Sequence, residues 1–406
     1  MNVRCCIAGG GPAGMMLGFL LARSGVEVLV LEKHGDFLRD FRGDTIHPST
    51  LELMHELGIL DDFLQRPHQQ LSKVQAQIGD FTVSVADFSH LPTRCKFIAF
   101  MPQWDFLNFI AEKGKRYAQF QLKMNAEITD LIVENGRVVG VRARTPEGLL
   151  EVHADLTVGA DGRHSTVREK AGLEVLDMGA PIDVLWLRVP REPGDPSMTL
   201  GRVRAGKILV TLDRGEYWQC AYVIAKGGFD NIRQNGLPAF RENLADVALF
   251  MRNRVDEIKD WNDVKLLSVA IDRLRSWSRP GLLCIGDSAH AMSPIGGVGI
   301  NLAIQDAVAA SNILTGPLLG NSAITDRQLR AVQRRRAYPT RMTQAFQIFA
   351  QKRILGPALR NPRPALRLPF TFRLLNLFPA LRRIPTRIIG LGFRPEHVRT
   401  QPRNRA

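Results

Sequence analysis

The chain has 406 residues, of which 45% are hydrophobic and 23% charged, with 35 glycines and 23 prolines. These proportions are typical of globular proteins and exclude collagen, a coiled coil or a largely disordered chain. The length favours two or three domains, and the sequence has no run of 18 uncharged apolar residues that would predict a spanning helix. The net charge is +14, but residues 327–406 alone hold 19 Lys and Arg against one acid, Glu396.

The five cysteines have neither the spacing of metal ligands nor that of a paired framework, and Cys5, Cys6 and Cys284 lie in apolar runs. This usage predicts reduced thiols in a cytoplasmic protein with no bound metal. A strand is predicted directly after Met1, so a signal peptide is not expected.

The first predicted elements are a strand, a helix and a second strand. An apolar run at 3–8 precedes the glycine loop of residues 9–14, an apolar helical pattern follows, and a further apolar run covers 26–32. In a parallel βαβ unit, the loop amides and the helix N-terminus face one point, which suits a pyrophosphate. Glu32 ends the second strand, where an acid can bind a ribose.

The later elements alternate between helices and a second set of strands. In chain order we predict a capped helix opened by Ser49 and Glu52, a helix over 103–117, a hairpin at Asn135-Gly136, antiparallel strands over 174–280 with one helical stretch near 238–258, a buried strand from 282, and a helix over 299–314.

Two more glycine motifs follow predicted strands. Gly159-Ala160-Asp161-Gly162 comes after the first of them, and Gly286-Asp287-Ser288-Ala289-His290 comes after the second and leads to a Pro/Gly-rich loop at 294–299. With the loop at 9–14, these motifs resemble those of the flavoprotein aromatic hydroxylase family, whose type member is p-hydroxybenzoate hydroxylase. The resemblance covers about three quarters of the chain, from Gly9 to Asp306.

The resemblance implies a role for each matching residue. The ADP half of FAD would bind at Gly9, Gly11, Gly14 and Glu32, and Pro12, Ala13 and Lys33 would also contact the cofactor. The other implied cofactor contacts are Arg42, Gln103, Asp161, Gly286, Asp287, Pro294, Gly297, Gly299, Ile300 and Asn301.

The family resemblance also implies a reaction. NAD(P)H reduces FAD, O2 forms a flavin C4a-hydroperoxide, and an aromatic (phenolic) or other electron-rich small molecule is hydroxylated. His47 is the leading candidate for a base or a substrate contact, with a purely structural turn histidine as the alternative. His290 is expected to be structural. The alternative functions are an FAD-dependent reductase or halogenase, or a non-catalytic flavin-binding accessory protein.

The expected fold class is α/β: a Rossmann-like FAD-binding domain assembled from discontinuous segments, a β-sheet substrate domain and a helical C-terminal region. The predicted boundaries are 1–72, 101–173 and 281–326 for the FAD-binding domain, 73–100 for part of the substrate-domain sheet, 174–280 for the substrate domain, and 327–406 for the basic helical extension.

The basic extension interleaves apolar and arginine residues, and prolines divide it into short helices. It either packs over the domains or lies on an anionic membrane surface, which would suit a lipophilic substrate. Nucleic acid is not an expected partner, because the sequence has no recognised reader motif. The predicted location is cytoplasmic, with peripheral contact at the inner face of a membrane left open.

Overall fold

The structure is a computed structural model that describes residues 1–38, 45–79, 81–196, 200–320, 323–360 and 377–403. Its strands are β1 (Asn2–Ala8), β2 (Val28–Leu31), β3 (Thr45–Ile46), β4 (Gln69–Leu71), β5 (Lys73–Ile78), β6 (Phe81–Asp87), β7 (Ile98–Phe100), β8 (Phe120–Lys123), β9 (Glu127–Glu134), β10 (Arg137–Thr145), β11 (Gly148–Gly159), β12 (Val175–Asp177), β13 (Ile182–Pro190), β14 (Leu200–Arg204), β15 (Lys207–Asp213), β16 (Tyr217–Ala225), β17 (Lys265–Leu267), β18 (Asp272–Leu274), β19 (Ser278–Arg279) and β20 (Leu282–Cys284). Its helices are α1 (Pro12–Arg23), α2 (Pro48–Glu56), α3 (Leu60–Leu64), α4 (Gln103–Gly114), α5 (Thr166–Lys170), α6 (Phe229–Gln234), α7 (Leu237–Val247), α8 (Gly299–Leu319), α9 (Asp326–Ala350), α10 (Gly356–Arg360) and α11 (Arg383–Gly390).

The main sheet has a parallel centre in the order β20-β11-β1-β2-β8. The central strand β1 is almost wholly apolar and buried, as expected for a parallel strand covered on both faces. Helix α1 packs against β2 and against α8. Because the strands are parallel, the carboxyl ends of β1, β2, β11 and β20 meet at one edge, where all three glycine motifs follow directly.

A second sheet runs in the order β17-β13-β16-β15-β14-β5-β6. On one face, Trp218 and Tyr222 join an apolar cluster with residues of α7. The opposite face carries Trp186 and Val210, because residues on alternate positions of a strand point to opposite sides. Residues 73–87 supply β5 and β6 to this sheet, whereas β7 pairs with β3 and β4 in a separate small sheet.

The C-terminal part of the chain returns to the body of the molecule. Helix α9 packs along α8, and α11 lies on β6. Beyond α11, the backbone amide of Arg403 donates to the carbonyl of Arg23, close to the start of the chain. The segment Ile295–Leu319 is long and apolar enough to cross a membrane, but 67% of its apolar window is buried inside the protein. It is therefore the core helix against which α1 and α9 pack.

Several local predictions can be compared with these elements. The hairpin at Asn135-Gly136 is confirmed, with both residues at positive φ between β9 and β10. The predicted N-cap at Ser49 is wrong, because the N-cap of α2 is His47, two residues earlier, and the helix begins at Pro48. Proline is pre-organised for the first helical position, since its φ is fixed and it has no N–H to satisfy. All five cysteines are free and buried.

Candidate active site

The glycine loop after β1 is shaped by close backbone contacts. Gly9 has φ of +101°, and a Cβ there would lie 2.5 Å from the carbonyl oxygen of Ala160. A Cβ on Gly14 would lie 2.0 Å from the carbonyl oxygen of Gly9. The loops after β1 and β11 therefore touch through their backbones, which brings the first two glycine motifs together.

The outer side of the same loop is open. A Cβ on Gly11 would meet only the carbonyl oxygen of Ala160, at 3.9 Å. Among the described residues no side chain caps the start of α1, so its first-turn N–H groups can bind an anion. Glu32 is buried beside the loop, and its carboxylate accepts the amide hydrogen of Gly10 at 2.9 Å. This open cradle of amides fits the pyrophosphate of a dinucleotide, with an acid beside it for a ribose.

The other predicted cofactor residues lie around this edge and differ in their burial and in their hydrogen bonds. Asp161 accepts hydrogen bonds from the Ser165 hydroxyl at 2.5 Å and the Val167 amide at 3.1 Å, so its carboxylate orders its own loop. Burial raises its pKa above the usual value. Asp287 is half-buried in the turn after β20. Gln103 is half-buried as the first residue of α4, whereas Lys33 is exposed.

The Pro/Gly-rich loop at 294–299 is fixed by Asn301 in the first turn of α8. The Asn301 Oδ1 accepts from the His47 amide at 2.9 Å and the Thr50 hydroxyl at 2.7 Å. Its Nδ2 donates to the carbonyls of Thr45 at 2.9 Å and Gly297 at 3.2 Å. These four bonds use the whole capacity of an amide side chain, which leaves only the backbone N–H of Asn301 for a ligand.

Gly297 shows why this loop needs glycine. Its φ is +62°, and a Cβ would lie 2.2 Å from the Thr45 hydroxyl oxygen. The Thr45 hydroxyl in turn donates to the carbonyl of Gly297 at 2.9 Å. Gly297 is thus packed against β3. Helix α8 begins two residues later, with Gly299 and Ile300 in its first turn. Pro294 begins the turn that leads into this loop.

His47 is the predicted catalytic residue, and it is only 1% exposed. Its Nδ1 lies 2.6 Å from the carbonyl oxygen of Ile389, and because a carbonyl only accepts, Nδ1 carries the proton. Its Nε2 is buried and makes no hydrogen bond with any described residue. Burial lowers the pKa of His47 to about 4, although the bond to Ile389 opposes that shift. The imidazole is therefore neutral, with a free acceptor on Nε2.

His290 belongs to a buried charged network beneath the Gly286 turn. Asp306 accepts from Nε2 of His290 at 2.6 Å, from the Gly286 amide at 3.1 Å and from Nε of Arg336 at 2.8 Å. Burial works against ionisation of Asp306, but His290 and Arg336 hold its pKa below the usual value. Arg336 also lies 3.4 Å from Glu396. His290 thus has the position of a structural residue.

An apolar cluster fills the space between the second sheet and the small sheet. Leu212 of β15 packs there with Ile98 and Phe100 of β7, and Trp186 and Ile389 lie against the same cluster. The face of the second sheet that carries Trp186 borders this space, whereas Trp218 and Tyr222 lie on the opposite face.

Three parts of the site were not foreseen from the sequence. The bracing role of Asn301, the Ile389 carbonyl and the buried Arg336 all depend on contacts between distant segments. Asn301 and Asp306 lie within a recognised motif, which marks their positions but not their partners. Arg336 lies in a run of three arginines that resembles a solvated helix face. The predicted contact Arg42 lies outside the described residues.

The chain is similar in sequence to known flavin-dependent proteins. A family model described as an FAD binding domain matches residues 2–345. The 6-methylpretetramide 4-monooxygenase of Streptomyces rimosus is 31% identical over 393 residues, covering 94% of this chain and 91% of the relative. The chain spans 63% of another relative, the aromatic compound monooxygenase YhjG of Bacillus subtilis, at 26% identity.

Solved structures share the fold. The anhydrotetracycline hydroxylase OxyS of Streptomyces rimosus superposes with a TM-score of 0.75 at 22% identity, covering 96% of this chain and 76% of that protein. The myxobacterial chondrochloren halogenase CndH gives a TM-score of 0.75 at 19% identity, over 95% of this chain and 90% of the halogenase. The chain belongs to the FAD-dependent aromatic hydroxylase family and is a flavin-dependent monooxygenase with FAD as cofactor and NAD(P)H as co-substrate.

Proposed function

We propose that this chain hydroxylates a phenolic ring, and that His47 contacts the ring hydroxyl. The observation that carries the proposal is the buried, neutral imidazole of His47, whose Nε2 is unpartnered among the described residues. It adjoins both the α8 N-terminal loop, through Asn301, and the cluster around Phe100, through Ile389. Two relatives are named as monooxygenases of 6-methylpretetramide and of 12-dehydrotetracycline and anhydrotetracycline, so phenols with fused rings are the first substrates to test.

The residues have separate tasks in this proposal. The glycine loop, Glu32 and the turns after β11 and β20 would hold FAD, within the domain boundaries predicted above. FAD, when bound, supplies the redox chemistry with O2 and NAD(P)H. The positive end of α8 stabilises negative charge at the Gly297 loop, and the apolar cluster excludes water.

His47 would act as a hydrogen-bond acceptor. A neutral imidazole with a pKa of about 4 is a weak base, so it would orient a phenol and increase the electron density of its ring without keeping the proton. Of the two roles considered for His47, the structure favours a substrate contact over a base. The Nδ1–H bond to Ile389 keeps the Nε2 lone pair available.

The two nitrogens of His47 can be tested separately. His47→Gln keeps a polar group near the place of Nε2, and His47→Asn keeps one near Nδ1. We expect product formation to fall about 100-fold in His47→Asn, the size of effect that is typical when a positioned proton acceptor is lost. The decrease in His47→Gln should be clearly smaller. The measurement is oxygen incorporation by mass spectrometry with FAD-loaded protein.

The control for this pair is His55→Asn, because His55 is exposed on the same helix, α2. It should match the wild-type protein. Equal losses in both His47 variants would show that Nε2 has no special part in the reaction.

The pKa of His47 also predicts a pH dependence of stability. Between pH 6.5 and about 4 the unfolded chain binds a proton at this residue and the folded chain does not. The free energy of unfolding therefore has its full value, as far as His47 is concerned, above pH 6.5. It decreases by up to about 3 kcal/mol as the pH falls toward 4. Urea midpoints over this range should fall more steeply in the wild type than in His47→Asn. Parallel slopes would rule out a depressed pKa.

Cofactor binding is tested best at two glycines. In Gly11→Ala the new Cβ makes only an ordinary contact with the Ala160 carbonyl oxygen at 3.9 Å, and φ is −73°, so the apo-protein should keep its melting temperature while FAD binds at least about tenfold more weakly. Gly9→Ala meets the Ala160 carbonyl at 2.5 Å and should destabilise the fold itself. Fluorescence titration with FAD and thermal melts provide the two measurements.

Gly316→Ala is the control, because a Cβ there has no described neighbour within 4 Å and the residue lies near the far end of α8. Unaltered FAD affinity in Gly11→Ala would place the pyrophosphate elsewhere.

We also infer a weak contact with anionic membrane surfaces. Leu377, Phe378 and Ile384 are 73%, 56% and 61% exposed, beside the exposed Arg383 and Arg387. Each arginine near an anionic surface contributes about 1 kcal/mol. The apolar and basic residues predicted to interleave at 361–376 lie outside the described residues.

The expected result is co-sedimentation with phosphatidylserine vesicles, reduced at least about fivefold when all three apolar residues are changed to Ser. Leu249→Ser, at another exposed leucine, is the matched control. Failure of the wild-type protein to sediment with these vesicles removes the inference.

A further inference from the structure

Residues 383–403, here called the C-terminal strap, supply part of the wall beside His47. The strap comprises α11 and the extended segment after it. It lies beyond residue 345, where the match to the FAD-binding family model ends. Its contacts therefore come from a part of the chain that the family motifs do not describe.

The first half of the strap is docked on β6 and the turn that follows it. The Thr386 hydroxyl, only 1% exposed, accepts the backbone amide of Asp87 at 2.9 Å. A Cβ on Gly390 would lie 2.6 Å from Leu91, so the strap backbone is in direct contact with this surface. The position of α11 along β6 is thereby fixed.

The middle of the strap closes the space next to His47. Ile389 and Leu391 pack against the apolar cluster between the two sheets, which contains Phe100 and Leu212. His47 and these strap residues line a cavity of about 30 Å³, which has room for little more than water. An aromatic ring that enters this space beside His47 would therefore contact or displace the strap.

The second half of the strap is held by buried charge. Glu396 is 4% exposed and accepts from Nε of Arg335 at 2.6 Å, while its backbone amide donates to Gln305 of α8 at 2.8 Å. Arg336 links it to Asp306 and so to the Gly286 turn. Removal of one member of such a buried set leaves uncompensated charge, so Glu396 holds the strap firmly.

We propose that Ile389 and Leu391 are specificity-determining residues that limit the size of the aromatic substrate, and that Glu396 is the positioning residue that keeps them in place. This inference rests on the proposed function, because it assumes that the ring approaches His47. The substrate class it addresses is phenols, ranked by the number of fused rings. The strap residues Ile389 and Leu391 would limit the room available to them.

The test compares phenol with 1-naphthol on FAD-loaded wild-type protein, Ile389→Ala and Leu391→Ala. Dissociation constants come from the change in flavin absorbance, and product from oxygen incorporation by mass spectrometry. Because one methylene in an apolar pocket changes discrimination about 10-fold or more, each variant should shift the ratio of the two dissociation constants toward 1-naphthol by at least that factor. Leu249→Ala makes the same truncation at a residue that is 57% exposed, and should leave the ratio unchanged.

The outcomes separate this inference from the proposed function. A shifted ratio without oxygen incorporation into either phenol supports the strap and counts against hydroxylation of these phenols. Oxygen incorporation with an unshifted ratio in both folded variants supports the function and overturns the strap inference. Thermal melts show whether each variant is folded.

Glu396 has its own readout. In Glu396→Gln, hydrogen exchange of the backbone amides at 390–393 should accelerate at least about tenfold while those of β1 stay protected. The ratio for the two phenols should move in the same direction as in Leu391→Ala. Glu147→Gln, which changes an exposed carboxylate, is the control. Unchanged exchange at 390–393 would show that Glu396 does not position the strap.

Discussion

The amide side chain of Asn301 joins the parts of the molecule on which the candidate site depends. It connects the strand β3, the N-cap of α2 and the Gly297 loop through four hydrogen bonds. Asparagine suits this place because its side chain offers two donors and two acceptors in one plane. Any shift of α8 relative to β3 would leave buried polar groups without partners, each at a cost of about 1–3 kcal/mol. The position of His47 thus follows from that of α8.

A second constraint lies on the other side of α8, where the charged side chains of Asp306 and Arg336 are buried. Asp306 is fully buried, and its ionised form is acceptable only because Arg336, His290 and the Gly286 amide surround it. The same carboxylate therefore orients a turn at the edge of the main sheet and fixes α9 against α8. The packing of α9 on α8 and the geometry of the cofactor edge are therefore coupled, because both depend on Asp306.

The sequence predicts the local part of this arrangement well and the long-range part poorly. Strand, glycine loop and helix are neighbours in the chain, so the cradle around Gly9 and Gly14 follows from spacing and from the steric limits on Cβ atoms. The predicted start of α2 lies two residues too late, because the N1 preference of Pro48 outweighs the capping pattern at Ser49. The hydrogen bond between His47 and Ile389 joins residues 342 positions apart, and no sequence pattern in either segment predicts it.

The charged residues of the C-terminal region also show that composition does not reveal which side chains become buried. The sequence shows an excess of arginine, which by itself favours a solvated or membrane-facing surface. The one acid among residues 327–406, Glu396, is the residue that binds Arg335 and Arg336 inside the protein. Helix α11 accordingly has two sides: Thr386 and Gly390 are buried against β6 and the turn that follows it, while Arg383 and Ile384 are exposed. A segment that composition describes as a basic tail is thus both a wall of the site beside His47 and an outer surface of the molecule.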